Sequence, residues 1–263
     1  MRERRSSERR AALPGWRPEP ALPPFRVFVT ATDTGVGKTQ VASALLSLLA
    51  DAGLSPAPFK PYESGCADLS RPADALALRA AAGSRDPLDR ICVHRFRAPL
   101  APGVAAARLG RAPDLGSVQA AYRSFGNRRP VVVEGAGGLL VPLDPRRDVI
   151  DLVQALRLPV LLVARAGLGT LNHTGLSLAL LAARRIPVLA VVLSRSSPVR
   201  DPAVEDNPRW LERRHGVPVL GPVPHIENAA RRRRAFRAVL RPLLATTRSG
   251  ARAQVLASLR TGL

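Results

Sequence analysis

The sequence predicts an α/β domain: a doubly wound, mostly parallel sheet with helices on both faces. Apolar runs of strand length alternate with segments of helical spacing along most of the 263 residues, and strand–helix–strand repeats lay parallel strands side by side. The first run, Val27 to Ala31, leads directly into Thr32-Asp33-Thr34-Gly35-Val36-Gly37-Lys38-Thr39 and then into a helix. No apolar run approaches the roughly 18 residues that a membrane span needs, and 46% hydrophobic residues are ordinary for a packed core.

The turn after the first strand is a phosphate-binding loop, which makes the predicted fold P-loop NTPase-like. Gly35 and Gly37 permit backbone angles that side-chain-bearing residues avoid, so successive N–H groups from Thr34 through Val36 can face an anion. The helix Lys38 to Ala50 begins at the phosphate, where its dipole favours negative charge. Lys38 would bridge the outer phosphates, and Thr39 would offer its hydroxyl to a magnesium ion. The strict G-x-x-x-x-G-K-[ST] pattern is not met, because Thr32 stands at the first glycine position. The loop is a variant, recognised by its strand before and helix after.

The remaining elements follow in order. Gly53 ends the first helix, Ser55 to Lys60 reads as a second strand, and Lys60-Pro61-Tyr62-Glu63-Ser64-Gly65 is the loop at its C-terminal end. Asp74 to Ala82 is a helix. Arg90 to Pro113 reads as irregular around a helix from Pro102 to Leu109, and Pro113 to Phe125 is a helix with Asp114 in its first turn. Pro130 to Val133 is a strand ending in Glu134-Gly135-Ala136-Gly137-Gly138. Helix Asp148 to Arg157, strand Pro159 to Ala164, helix Thr170 to Arg185, strand Pro187 to Leu193, helix Pro202 to His215 and strand Val217 to Leu220 complete the alternation. Residues 1–24 are basic and proline-rich and read as a disordered leader. The rest, 25–263, reads as a single domain with an ordered core over about 25–225. Its closing Arg-rich segment, 226–263, has helical spacing broken near Pro242 and Gly250.

The formal charge of +20 is carried largely by the two ends, and nine arginines with no acid follow from Arg231 onward. Basic runs here are not interleaved with aromatics, which make up only 4% of the chain, so a solvated, compositionally biased surface is favoured over a nucleic-acid footprint. The chain has two lysines, Lys38 and Lys60. Where arginine is used almost everywhere else, a lysine is kept at the phosphate loop, where a compact point charge suits a phosphate, and this singles out Lys60, the other lysine, as a second candidate. Cys66 and Cys92 lack metal spacing, and two cysteines with no secretory signal point to a reducing cytoplasm.

In a doubly wound sheet, ligands bind beyond the C-terminal ends of the strands, where the Gly37, Lys60 and Glu134 loops converge. Glu134 is read as a strand-terminal carboxylate at the edge of the site, suited to holding Mg²⁺ directly or through water. Asp74 is read either as a helix cap or as a metal ligand.

Together, Thr32 to Thr39, Lys60-Pro61 with Ser64-Gly65, Asp74-Ala75, Glu134 to Gly138 and Gly167-Leu168-Gly169-Thr170-Leu171-Asn172-His173 resemble the dethiobiotin synthetase family, in order from about Phe25 to Pro224. The resemblance implies ATP-dependent closure of a cyclic urea on 7,8-diaminononanoate with CO₂, through a carbamate and a carbamic-phosphoric anhydride, in biotin biosynthesis. It implies Lys38, Lys60 and Ser64 as catalytic residues and Thr39, Asp74 and Glu134 around Mg²⁺. ATP would contact Thr34 to Gln40 (including Gly35, Val36 and Gly37), Glu134, Ser194 and Pro224. The substrate would contact Thr34, Lys60, Ser64, Gly138 and the backbone of Gly169, Thr170 and Leu171 with Asn172. In the family this last loop comes from a second subunit, which implies a homodimer with shared sites.

Three positions depart from the family. Ser194 stands where an asparagine usually reads adenine, Ala31 replaces a glycine, and Arg231 occupies the place of an acidic nucleotide contact. A serine offers fewer hydrogen bonds than an asparagine. Other readings are a P-loop ATPase switch, whose signature lysine would stand at Asp33, and a degenerate relative that binds nucleotide without ring closure. An amidase-type relative would carry a glutaminase module, and none is visible.

Overall fold

A computed structural model describes residues 25–248, so the leader over 1–24 and Gly250 with the rest of the tail lie outside the described residues. In chain order the elements are β1 (Arg26–Ala31), α1 (Lys38–Asp51), β2 (Ala57–Phe59), β3 (Tyr62–Ser64), α2 (Ala73–Ala81), α3 (Leu88–Ile91), β4 (His94–Phe96), α4 (Pro102–Ala107), α5 (Leu115–Ser124), β5 (Val131–Gly138), α6 (Val149–Leu156), β6 (Val160–Arg165), α7 (Thr170–Ala183), β7 (Val188–Ser194), α8 (Ala203–His215), β8 (Val219–Val223) and α9 (Ala229–Arg248).

Six strands form one sheet in the spatial order β2-β5-β1-β6-β7-β8, with every strand pair parallel. β1 is central because both of its faces are apolar. Phe28 enters the core beneath α5, α6, α7 and α8, while Val27, Val29 and Ala31 enter the core beneath α1, α2 and α9. Helices thus cover both faces, and each fully buried Phe, Val or Leu contributes about 1.5–3 kcal/mol relative to an exposed one. From β1 the chain leaves for the β2 edge, returns to β5 and then crosses to β6. That reversal opens a crevice beyond the C-terminal end of β1.

Gly53 does end α1, in the left-handed region at φ +77, with the Leu54 N–H closing on the Leu49 carbonyl at 3.1 Å. Other expectations are corrected. The Lys60–Gly65 loop contains a strand, β3, which pairs with β4 in a small second sheet. The stretch from Arg90 to Pro113 therefore holds β4, with the unexpected short helix α3 just before it, while α4 is the helix expected from Pro102 and ends at Ala107. Three-residue strands carry too short a pattern to stand out in sequence.

β5 does not stop at Val133. It continues to Gly138, with Glu134 opposite Val29 and Gly138 opposite Ala31. The small residues allow this: a Cβ on Gly135 would meet the Phe28 ring at 2.8 Å, and one on Gly138 would meet the Ala31 carbonyl at 3.2 Å. β2 is shorter than expected, and β8 runs on to Val223. α9 passes through Pro242 unbroken, because Phe236, Val239, Leu240, Leu243 and Leu244 pack onto the same core as α1. Tertiary burial outweighs the hydrogen bond that proline removes.

Candidate functional site

The loop after β1 takes the conformation its glycines predict, with Gly35 at φ +76 and Gly37 at φ +107. Val36 is buried beneath it, so its contribution toward the crevice is limited to backbone. Lys38 turns back to donate to the Asp33 carbonyl at 2.9 Å. Burial, and then the neighbouring Lys60, pulls the Lys38 ammonium down to about 8, against the opposing pull of Glu134, Asp74 and Asp33.

Behind the loop lies a compact ionic cluster. Lys60 Nζ is 2.5 Å from Glu134 Oε1, 3.0 Å from Asp74 Oδ2 and 3.2 Å from the Gly135 carbonyl. Thr39 Oγ1 approaches Glu134 Oε1 at 2.8 Å and Asp74 Oδ1 at 3.1 Å. Burial alone would push Lys60 down, but the Glu134 and Asp74 carboxylates outweigh it and hold the ammonium above the ordinary lysine value. Asp74 is held below the usual carboxylate range: its burial pushes upward, and Lys60 and Thr39 overcome it. Complete burial pushes Glu134 up, against the attraction of Lys60.

Glu134 was expected at a strand end, at the edge of the site. It stands inside β5 with 1% of its surface exposed, because the strand continues beyond it. Its Oε2 is buried with no hydrogen-bond partner, and so is Ser64 Oγ. Such atoms cost about 1–3 kcal/mol each when unsatisfied, so two of them beside one cavity mark where a ligand completes the structure.

That cavity, about 770 Å³, is lined by Thr34, Gly35, Gly37, Lys38, Thr39, Gln40, Lys60, Ser64, Asp74 and Glu134 among others. Its lining also includes the apolar residues Ala73, Ala77, Pro99, Leu100, Pro102 and Val141. The oxygens of Thr39, Asp74 and Glu134 form a hard donor set, without nitrogen or sulfur, which fits Mg²⁺ rather than a softer ion. No group of three or more His, Cys, Asp or Glu suited to a metal occurs among the described residues, in keeping with two carboxylates and a hydroxyl.

The other expected residues lie elsewhere. Gly138 pairs with β1 and does not line the cavity. Ser194 ends β7 beneath the loop: a Cβ on Gly37 would sit 3.5 Å from Ser194 Oγ and 3.6 Å from the Phe236 ring. Pro224 is exposed just past β8. Gly169, at φ +89, starts α7, and its loop is held by Asp201, which accepts from the Leu168 N–H at 2.7 Å, and by Asn207, which donates to the Ala166 carbonyl at 2.8 Å. Arg165 at the end of β6 joins this side to the phosphate loop through Asp33 at 2.9 Å.

Sequence reasoning missed Glu63. Its two carboxylate oxygens accept from the Asp74 and Ala75 N–H groups, each at 2.9 Å. Asp74 is therefore not the cap of α2. A signal was present: Pro72, the residue before the helix, has no side-chain acceptor, so the first turn needs one from outside.

A family model described as an AAA domain matches residues 26–233. The ATP-dependent dethiobiotin synthetase of Anaeromyxobacter dehalogenans (strain 2CP-C) is 48% identical over 215 residues, covering 81% of this chain and 96% of that protein. The enzyme of the same name from Anaeromyxobacter sp. (strain Fw109-5) is 45% identical over the same shares. That of Bacillus thuringiensis (strain Al Hakam) is 39% identical over 201 residues, 76% of this chain and 83% of its own length.

Proposed function

The chain belongs to the ATP-dependent dethiobiotin synthetase family, and on that premise we propose that it closes the cyclic urea of dethiobiotin on 7,8-diaminononanoate, using CO₂ and ATP. The observation that carries the reading is the pair of buried orphan oxygens, Ser64 Oγ and Glu134 Oε2, on residues that line one cavity together with Lys60, the phosphate loop and several apolar side chains.

In this reading one substrate amine adds to CO₂ and loses a proton, giving a carbamate. Lys60 and Lys38 hold the carbamate oxygen against the γ-phosphoryl group, and Ser64 donates to the reacting group. The carbamate oxygen attacks phosphorus, the bond to ADP breaks, and a carbamic-phosphoric anhydride forms. The second amine then attacks the carbamoyl carbon, phosphate leaves, and a second proton is lost. Thr39, Asp74 and Glu134 would hold Mg²⁺, which when bound neutralises charge on the phosphate oxygens. The apolar residues of the lining suit the alkyl chain of the substrate.

The substrate's carboxylate would be taken by the N–H groups at the start of α7, around Gly169 to Asn172. Support for a homodimer with shared sites comes from the same helix. Leu168 just before α7, and Leu171 and Leu176 on it, are 82%, 42% and 64% exposed, and apolar side chains left in solvent suit a contact with a second copy.

Phosphate release from ATP, measured with Mg²⁺ and bicarbonate in the presence and absence of 7,8-diaminononanoate, tests the reaction. Release is expected to depend on the diamine and to vanish in Lys60→Arg, whose planar fork cannot replace an ammonium enclosed at 2.5 Å and 3.0 Å. Nucleotide-binding protein with no diamine effect would overturn the reading.

A further inference from the structure

We propose that Glu63 is a positioning residue for the reaction, its carboxylate fixing the first turn of α2 so that Asp74 faces Lys60 and the divalent-cation position. This inference rests on the proposed function and adds a residue outside its ligand set.

Glu63 lies on β3, next to Ser64, and is 5% exposed. Both of its oxygens are committed, one to the Asp74 N–H and one to the Ala75 N–H. These are first-turn donors of α2 that no residue of the helix itself can satisfy. The residue at the cap position is Pro72, which makes no side-chain hydrogen bond, so the turn is held by a neighbouring element rather than by its own sequence.

The geometry transmits directly. The peptide N–H that Glu63 grips belongs to Asp74, whose side chain leaves the same Cα to meet Thr39 Oγ1 and Lys60 Nζ. With 39% of the Asp74 side chain open to the cavity, its neighbours on that side do not hold it alone. A shift of the turn would carry this carboxylate out of reach of the cation while leaving the phosphate loop, which makes no hydrogen bond to Glu63, in place. Outer-shell groups that orient ligands in this way typically change metal affinity by about 10–100-fold when removed.

The test compares ATP binding by calorimetry, once with Mg²⁺ and once with EDTA, for the wild type, Glu63→Gln, Asp74→Asn and the double variant. Glutamine keeps the volume and leaves one oxygen, so one of the two N–H groups loses its acceptor. The Mg²⁺-dependent gain in affinity is expected to fall by about tenfold in Glu63→Gln, with affinity in EDTA unchanged within about twofold. The double variant is expected to be no worse than Asp74→Asn, because one residue acts through the other.

An equal loss in both buffers would mark a cap that only stabilises the fold, and an undiminished Mg²⁺ gain or additive losses would likewise overturn the proposal. Should Glu63→Gln fail to fold by circular dichroism, Glu63→Asp keeps the charge but shortens the reach. It must then show the same metal-selective loss, and an unchanged gain refutes the assignment. A Mg²⁺ gain lost on Glu63→Gln in a protein without diamine-dependent turnover would sink the reaction and leave the role of Glu63 standing.

Discussion

The ionic cluster and the start of α7 are built in opposite ways. Around Lys60, charges are enclosed: Lys60 is 4% and Glu134 1% exposed, and Thr39 and Asp74 close the ring. At the start of α7 the chain instead leaves Leu168, Leu171 and Leu176 in solvent, next to a helix N-terminus that no side chain caps. The first region reaches its geometry within one chain. The second mixes exposed leucines with exposed Asn172 and His173, and it is where the proposed second copy would sit.

The largest effect should come from breaking the enclosed side. Lys60→Met leaves Glu134 buried without its cation, and urea unfolding is expected to show a loss of about 3–5 kcal/mol. Adding Glu134→Leu should recover much of that stability without restoring diamine-dependent phosphate release. Stability that stays low in the pair would mean that packing, and not the orphaned charge, sets the cost.

On the open side, Leu171→Glu is expected to shift sedimentation to the monomer. It should cut turnover by at least about tenfold while ATP affinity stays within about twofold, because a charge placed in an apolar contact must lose its water. A dimer that persists with full turnover would show that α7 is not the shared surface.

The smallest effect sharpens the electrostatics of the enclosed side. Lys38 has a folded value of about 8, below that of an unfolded lysine. Between about pH 8 and 10.5 the folded chain therefore binds fewer protons than the unfolded chain, and this group's contribution to stability rises with pH across that window. Phosphate binding requires the ammonium, so ATP affinity should fall as pH rises above about 8 and binding there should take up a proton. Calorimetry in buffers of different ionisation enthalpy measures that uptake. A flat profile from pH 7 to 9.5 would contradict the depressed value.

Much of this was legible in the sequence because the signals are local. The phosphate loop needs only Gly35, Gly37 and Lys38 between a strand and a helix, and Lys60 stood out as the second of two lysines. Ser64, Asp74 and Glu134 were visible through their motifs, and the structure brings all of them to one cavity. The short strands β3 and β4 were not legible, since three residues hold no period.

The sequence by itself determined the parallel α/β alternation, the phosphate loop and the identity of the charged cluster, because backbone preference and residue chemistry act over a few neighbouring positions. Tertiary structure alone decided that Glu134 sits inside a continuing strand, that Pro242 stays helical, and that Glu63 caps a helix beginning ten residues later. Each of these depends on a partner distant along the chain: a pairing strand, a covering core, or an N–H group with no acceptor of its own. Burial and hydrogen-bond satisfaction are properties of the assembled fold, and they override what the local pattern prefers.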